Sequence, residues 1–248
     1  MRAVTGDRLP AFRDAALLLD LDGTLIDLAP TPDSVVVPPG LTGVLRTLKH
    51  ALGGALAVVT GRPIEVVDRL LGDAPFAVSG EHGGALRHAP GAPIERPDLH
   101  APPHAWIDRA AALATAFPGA MLEVKARGFG LHFRLARPEA EPAIRDALAA
   151  LVAGSSEFET MQGQMLWEVR PRGVDKGVAV RGLMERPPFL GRVPVFLGDD
   201  VTDEDGMRVA RAMGGVGLRV QDWFGDAAGV RAWLERTAAA GDWAVADD

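Results

Sequence analysis

Two aspartates, Asp20 and Asp22, stand two residues apart directly after an apolar run, and Gly23 and Thr24 follow them. A carboxylate at such a position can attack phosphorus to give an aspartyl phosphate, while a second carboxyl carries the proton of the leaving group. Two negative charges this close also need a counter-ion, and a hard divalent cation with oxygen ligands suits them. For this pair taken alone, an Asx turn that merely ends a strand is the competing interpretation.

Thr60 and Lys176 are two further residues suited to phosphoryl chemistry. The hydroxyl of Thr60 and nearby backbone N–H groups, including that of Gly61, would hold a phosphoryl oxygen. The ammonium group of Lys176 would neutralise phosphoryl charge. Each residue also has a simpler interpretation, because Thr60 could cap the helix that begins at Pro63 and Lys176 could be a surface lysine.

Asp199, Asp200 and Asp203 form an acidic cluster after a third apolar run. We expect Asp203 to cap a helix that begins near Glu204, which leaves Asp199 or Asp200 in need of a positive partner. Magnesium fits, because it binds to few carboxylates and retains water or phosphate ligands. An EF-hand loop does not fit, because alignment on Gly206 puts apolar residues where that loop requires acids.

The elements that must position these residues alternate between strand and helix along the chain, which predicts a parallel sheet with crossover helices. Strands of this sheet are expected at residues 15–19, 55–59, 76–79, 193–197 and 217–220. From about residue 99 the order changes to helix, strand, strand, helix, strand, strand, which is typical of an antiparallel α+β unit. The predicted fold class is therefore α/β, a Rossmann-like core (1–98 and 172–248) with an inserted α+β domain (99–171).

Alternation along residues 129–135 predicts that Leu131, Phe133 and Leu135 share one face of a strand in the inserted domain. The same alternation puts His132 and Arg134 together on the opposite face. These two side chains are therefore candidates for contact with a ligand, although a solvated sheet face would have the same pattern.

The charge, the cysteine content and the lengths of the apolar runs argue against several classes of partner and site. The 248 residues carry a formal charge of −7, which gives no electrostatic case for nucleic acid as a partner. Cysteine is absent, so disulfides, thiolate zinc sites and a cysteine nucleophile are excluded. No apolar run reaches the length of about 18 residues typical of a membrane span. We expect a cytoplasmic protein without a membrane partner, acting as a monomer.

The chain resembles the phosphatases of the haloacid dehalogenase superfamily, whose four motifs match in order, and the inserted unit resembles their cap domain. The match narrows to the trehalose-6-phosphate phosphatase family. The residues that carry the resemblance are Asp20-x-Asp22-Gly23-Thr24, Thr60, Gly80-Glu81-His82-Gly83, Lys125, His132-Phe133-Arg134, Glu168-Val169-Arg170-Pro171, Lys176-Gly177 and Gly198-Asp199-Asp200-Val201-Thr202-Asp203-Glu204-Asp205. Leu21 and Phe133 depart from tyrosines that are frequent in the family.

This resemblance implies that Asp20 is the nucleophile and Asp22 the general acid and base. It implies a Mg²⁺ ion held by Asp20, Asp199 and the backbone carbonyl of Asp22. Thr60, Gly61 and Lys176 would hold the phosphoryl group, and Asp200 and Asp203 would support the metal site. The substrate implied is trehalose 6-phosphate, and the residues expected to bind it are Arg62, Glu81, His82, Lys125, His132, Arg134 and Glu168.

Two alternatives remain open at this point. One is a phosphatase of the same fold that acts on a sucrose, mannosyl or hexose phosphate. The other is an inactive sugar-phosphate sensor, which would be expected to lack a nucleophile, a proton carrier or a metal ligand. The presence of Asp20, Asp22 and Asp199 argues against the sensor.

Overall fold

The computed structural model describes residues 9–31, 34–125, 127–163 and 165–244. The chain forms two compact units. One contains the chain up to Arg96 and from Asp175 onward, and the other is Pro97–Val174. Among the described residues, no helix combines the length and the apolar character needed to cross a bilayer.

The elements are named here in chain order. The strands are β1 (Ala15–Leu19), β2 (Leu56–Val59), β3 (Ala77–Gly80), β4 (Ala85–Arg87), β5 (Met121–Val124), β6 (Phe129–His132), β7 (Phe158–Gly163), β8 (Leu166–Pro171), β9 (Val193–Gly198) and β10 (Val216–Arg219). The helices are α1 (Leu41–Ala51), α2 (Ile64–Leu71), α3 (His104–Ala116), α4 (Ala140–Val152), α5 (Lys176–Met184), α6 (Asp203–Ala212), α7 (Val220–Trp223) and α8 (Ala227–Ala240).

The larger unit is built on a six-stranded sheet in the order β10-β9-β1-β2-β3-β4. Neighbouring strands run parallel, except that β4 is antiparallel to β3. Every residue of β1 and β2 is buried, as expected for central strands of a parallel sheet with both faces covered. The predicted α/β core is therefore confirmed.

The register of the central strands determines where the site lies. Leu17 of β1 is level with Leu56 of β2 on one side and with Val195 of β9 on the other. Because the three strands are parallel neighbours, the residues that follow them emerge at the same edge of the sheet. Asp20, Thr60 and Asp199 are those residues.

The inserted unit has a four-stranded antiparallel sheet in the order β5-β6-β8-β7. Its core lies between this sheet and helices α3 and α4, and consists largely of Phe129, Leu131, Ile144, Phe158 and Val169. Because the helices cover only one face of this sheet, its strands alternate apolar and polar residues. This explains why the sequence pattern changes in this part of the chain.

Three local expectations were incomplete or wrong. Strand β4 and helix α7 were not predicted, since three or four residues are too few for a periodic signal. Strand β6 ends at His132, so Arg134 lies in a turn and does not share a strand face with His132. Leu135, expected beside buried Leu131, is 63% exposed for the same reason.

Candidate active site

Asp20 lies at the carboxyl end of the central strand β1 and is almost completely buried. Its Oδ1 atom is 2.6 Å from Nζ of Lys176, and its Oδ2 accepts a 3.3 Å hydrogen bond from the hydroxyl of Thr24. Its backbone N–H donates to the carbonyl of Leu197 in β9. Both the main chain and the side chain of Asp20 are thus held in place, as the role of nucleophile predicted for it would require.

Lys176 is the first residue of α5, a helix capped by the side chain of Asp175. Its side chain is only 3% exposed, and Nζ lies 2.6 Å from both Asp20 Oδ1 and Asp203 Oδ1. The interpretation as a surface lysine is therefore wrong. The ammonium group bridges two carboxylates that come from different parts of the chain.

Asp203 was expected to cap helix α6, and this expectation is wrong. It is the first residue of that helix, and the capping position belongs to Thr202, whose side chain makes no capping bond. The Oδ2 atom of Asp203 instead accepts the backbone N–H groups of Asp199 and Asp200, at 3.1 and 3.0 Å. Asp203 therefore fixes the loop that carries Asp199.

The carboxylate of Asp199 lies against the backbone of Gly23 in the loop after β1. A Cβ atom on Gly23 would stand 2.2 Å from Asp199 Oδ2, and Gly23 also has a φ of +77° that side chains rarely adopt. Glycine is therefore required here, because it lets the two loops meet. Asp200 turns away, and its Oδ1 accepts the N–H of Val201 in its own loop.

The electrostatics of this cluster reflect three buried carboxylates around one ammonium group. Burial raises the pKa of Asp20 well above its usual range, Asp203 raises it further, and the charge of Lys176 opposes both. Burial, together with the charges of Asp203 and Asp200, raises the pKa of Asp199 to about 7. Burial alone would lower the pKa of Lys176, but Asp20 and Asp203 outweigh it, so Lys176 stays protonated.

One oxygen from each of Asp20, Asp199 and Asp203 can be chosen so that all three lie within 4.8 Å of one another. The three carboxylates share one ammonium group, so their negative charge is not fully balanced. Hard oxygen donors with such an excess of negative charge suit a divalent cation. Asp20 and Asp203 each accept one hydrogen bond from Lys176, but the second oxygen of Asp203 accepts two backbone N–H groups, whereas that of Asp20 accepts the longer 3.3 Å hydrogen bond of Thr24. Asp20 and Asp199 are therefore the better candidates as carboxylate ligands.

Asp22 makes a two-pronged ion pair with Arg62. Nε of Arg62 lies 2.6 Å from Asp22 Oδ2, and Nη2 lies 2.7 Å from Oδ1. Asp22 keeps 29% of its side chain exposed, whereas Arg62 keeps 15%. The competing view of Asp22 as a simple turn former does not account for this pair.

Thr60 is buried after β2, and its hydroxyl accepts the N–H of Arg62 at 3.1 Å. It does not cap helix α2, whose capping residue is Pro63. Gly61 lies against the imidazole of His82, since a Cβ there would stand 2.3 Å from His82 Nε2. These contacts shape the loop expected to hold a phosphoryl group.

Glu81 and His82 were expected to bind substrate. Both have a φ of +54°, and their backbone N–H groups donate to the carbonyls of Arg62 and Thr60. The Oε1 atom of Glu81 accepts from Arg96 at 3.0 Å. In this structure the two residues support the loop of Thr60, and their contact with substrate stays a prediction.

In the inserted unit, Lys125 and Glu168 form an ion pair of 2.7 Å, with only 7% and 4% of their side chains exposed. A solvated sheet face does not describe this pair. His132 is 2.9 Å from Glu123, whereas Arg134 is separated from them by the end of β6. The structure therefore pairs Lys125 with Glu168, both of them predicted, pairs His132 with Glu123, which was not predicted, and leaves Arg134 in a turn.

Sequence reasoning missed Glu123. It is paired across β5 and β6 with Gly130, which is paired in turn with Glu168 of β8, so Glu123 and Glu168 point to the same face. Because every second residue of a strand points to the same face, the candidate Lys125 would have indicated Glu123, two residues earlier. Thr24, which donates to Asp20, was also not assigned a role, because its contact depends on the turn after β1.

Comparison with known proteins gives a consistent result. Residues 18–223 match the model of the trehalose-phosphatase family. The trehalose-6-phosphate phosphatase of Escherichia coli is 38% identical over 208 residues, which cover 83% of this chain and 77% of that protein. The bifunctional trehalose-6-phosphate synthase/phosphatase of Thermoproteus tenax is 35% identical over 204 residues, covering 78% of this chain and 27% of that protein.

Among solved structures, the C-terminal domain of the C. albicans trehalose-6-phosphate phosphatase superposes with a TM-score of 0.78 at 20% identity. The alignment covers 92% of this chain and 93% of that one, and it supports the fold. The family match spans most of the chain, including the loops after β1, β2 and β9 that build the site. The chain belongs to the trehalose-phosphatase family.

Proposed function

We propose that this protein is a Mg²⁺-dependent phosphomonoesterase that hydrolyses trehalose 6-phosphate to trehalose and phosphate. The observation that carries the proposal is the buried Asp20, held 2.6 Å from Lys176 at the end of the central strand, in a chain of this family. The resident ion would be held by Asp20 and Asp199 with the backbone carbonyl of Asp22. When bound, it would supply positive charge to the phosphoryl oxygens.

In the first step, a carboxylate oxygen of Asp20 attacks phosphorus, and the bond between phosphorus and the sugar oxygen breaks. The sugar oxygen takes a proton from Asp22 as it leaves. Lys176 keeps its proton beside Asp20, so its charge can stabilise the phosphoryl oxygens during transfer. The hydroxyl of Thr60 and the N–H of Gly61 hold the same group.

In the second step, Asp22 takes a proton from a water molecule whose oxygen attacks the phosphorus of the aspartyl phosphate. The bond between phosphorus and Asp20 breaks, which restores the carboxylate and releases phosphate. Asp203 takes no part in bond making. It holds the Asp199 loop and shares Lys176 with Asp20.

The inserted unit would bind the sugar through the polar face that carries Lys125, Glu168, His132 and Glu123. Support comes from the ion pair of Lys125 with Glu168 and the hydrogen-bonded pair of His132 with Glu123, since hydroxyl-rich ligands are recognised by a few fixed polar groups. Arg134 remains a candidate from its turn position. The proposal includes action as a cytoplasmic monomer, which size-exclusion chromatography and cell fractionation test.

The test is phosphate release from trehalose 6-phosphate, with and without Mg²⁺, beside glucose 6-phosphate and sucrose 6-phosphate. We expect metal-dependent hydrolysis that strongly favours the trehalose ester. Asp20→Asn should fold normally by circular dichroism and be inactive. Equal rates on all three esters would overturn the substrate assignment, and near-normal activity of Asp20→Asn would overturn the mechanism.

The alternative of a sugar-phosphate sensor makes a different prediction. Such a protein would bind trehalose 6-phosphate in calorimetry without releasing phosphate in the presence of Mg²⁺. The cluster of Asp20, Lys176 and Asp199 argues against it, because a sensor has no need of a buried nucleophile.

A further inference from the structure

We propose that Arg62 is a positioning residue for Asp22, whose guanidinium holds the proton-carrying carboxylate in its working orientation. This inference rests on the proposed aspartyl-phosphate mechanism. It gives Arg62 a role in both chemical steps, in place of the sugar contact expected from the sequence.

The first support is the geometry of the pair. Two nitrogens of one guanidinium bind the two oxygens of Asp22, at 2.6 and 2.7 Å. A planar fork of this kind fixes the orientation of a carboxylate as well as its position. A single hydrogen bond would leave the carboxyl group free to rotate.

The second support is that the backbone of Arg62 is itself held from both sides. Its N–H donates to the hydroxyl of Thr60, and its carbonyl accepts the N–H of Glu81 at 3.1 Å. Gly80 packs closely on the same carbonyl, because a Cβ there would stand 2.6 Å from it. The guanidinium therefore starts from a fixed point in the loop that follows β2.

The third support is the contrast between the two aspartates. Asp20 is fixed by Lys176 and Thr24 and is 5% exposed in its side chain, whereas Asp22 is 29% exposed and sits in the following loop. A partly exposed side chain in a loop loses orientation readily. A carboxyl group that must first give and then take a proton needs this orientation in both steps.

The variants Arg62→Ala and Arg62→Lys test this role with two substrates. With trehalose 6-phosphate we expect kcat of Arg62→Ala to fall roughly 10- to 100-fold while KM changes by less than about threefold. Arg62→Lys should recover part of kcat, because lysine supplies one contact without the fork.

The second substrate is p-nitrophenyl phosphate, whose leaving group departs without a proton donor. With Arg62→Ala we expect a burst of about one p-nitrophenol per enzyme followed by slow turnover, because water activation by Asp22 is still impaired. A rise in KM for trehalose 6-phosphate alone would mean that Arg62 binds the sugar, which overturns the proposal. An equal loss on both substrates without a burst would also overturn it.

A matched control is available in Arg87, which makes a similar two-pronged pair with Asp68 at 2.7 and 2.6 Å and is 16% exposed. Arg87→Ala should lower the melting temperature about as much as Arg62→Ala and leave kcat unchanged. A drop in kcat for Arg87→Ala equal to that of Arg62→Ala would overturn the proposal by showing a general structural effect. If the native protein cleaves p-nitrophenyl phosphate but not trehalose 6-phosphate, the substrate assignment fails, while the burst still decides the role of Arg62.

Discussion

Replacing Lys176 with methionine keeps most of the volume of the side chain and removes its charge. In the native protein this ammonium group lies 2.6 Å from both Asp20 and Asp203, and all three side chains are buried. Methionine can fill the space of the lysine stem, so packing is largely preserved. The variant therefore isolates the electrostatic contribution of the charge.

The expected cost follows from what the substitution leaves behind. Removal of one partner from a buried ion pair costs about 3–5 kcal/mol, because the remaining charge has lost its compensation. Here two carboxylates lose the same partner, which favours the upper end of that range. Protonation of Asp20, whose pKa burial already raises, relieves part of the cost. We expect Lys176→Met to lower the free energy of unfolding by about 3 kcal/mol.

The assay is urea unfolding followed by tryptophan fluorescence, in buffer with EDTA so that no divalent cation stabilises the acidic cluster. Lys49→Met is the control, because Lys49 donates to the backbone carbonyl of Asp73 in an exposed setting. We expect the control to lie within about 0.5 kcal/mol of the native protein. A Lys176→Met variant that unfolds within about 1 kcal/mol of native would refute the electrostatic account of the cluster.

Two further substitutions test the loop contacts and the inserted unit. Gly23→Ala should weaken Mg²⁺ binding in calorimetry roughly tenfold or more, because the new Cβ would displace Asp199. Gly40→Ala introduces similar backbone strain with open space around it and should leave binding unchanged, so equal losses would contradict this reasoning. Burial opposes ionisation of Glu123, but the hydrogen bond from His132 helps to lower its pKa below the usual value. The lowered pKa of Glu123 stabilises the folded protein at pH values above the usual pKa of a glutamate. This stabilisation is lost as the pH falls through the pKa that Glu123 has in the folded state. Between about pH 6 and pH 3 the native protein should therefore lose more stability than Glu123→Gln, and parallel urea midpoints would show that Glu123 contributes nothing.

The parallel core could be predicted because its strands are buried on both faces and are therefore apolar without interruption. Residues 15–19 were predicted as a strand with the bounds that the structure has for β1. Helix α5 was likewise expected to begin at Lys176. These elements are long or uniform enough for local pattern to determine them.

The contacts of the site were harder to predict, because they depend on how loops from different strands meet. Asp203 looked like a helix cap from its position before Glu204, yet its carboxylate turns back to the N–H groups of Asp199 and Asp200. The pairing of Asp22 with Arg62 joins residues 40 positions apart, and no local pattern indicates it. The residue types at the site could be predicted from the sequence, whereas their hydrogen-bond and ion-pair partners are seen only in the folded structure.

The end of β6 shows the same limit within one strand. Alternation continues through residues 129–135, so the pattern alone extends the strand to Leu135. The backbone turns after His132, and Ala136 then donates to the carbonyl of Phe133. That turn removes Arg134 from the polar face. The strand propensity of the residues does not show where a strand ends when pairing with the neighbouring strand determines that end.

The proposed mechanism requires that Asp20 becomes phosphorylated during turnover. The direct measurement is acid quench within the first turnovers on p-nitrophenyl phosphate with Mg²⁺, followed by mass spectrometry of the peptide that contains Asp20. We expect a phosphoryl group on Asp20, more abundant in Asp22→Asn, where water activation is impaired, and absent in Asp20→Asn. Rapid phosphate release by the native protein, with no phosphoryl group on Asp20 in either the native protein or Asp22→Asn, would contradict the account.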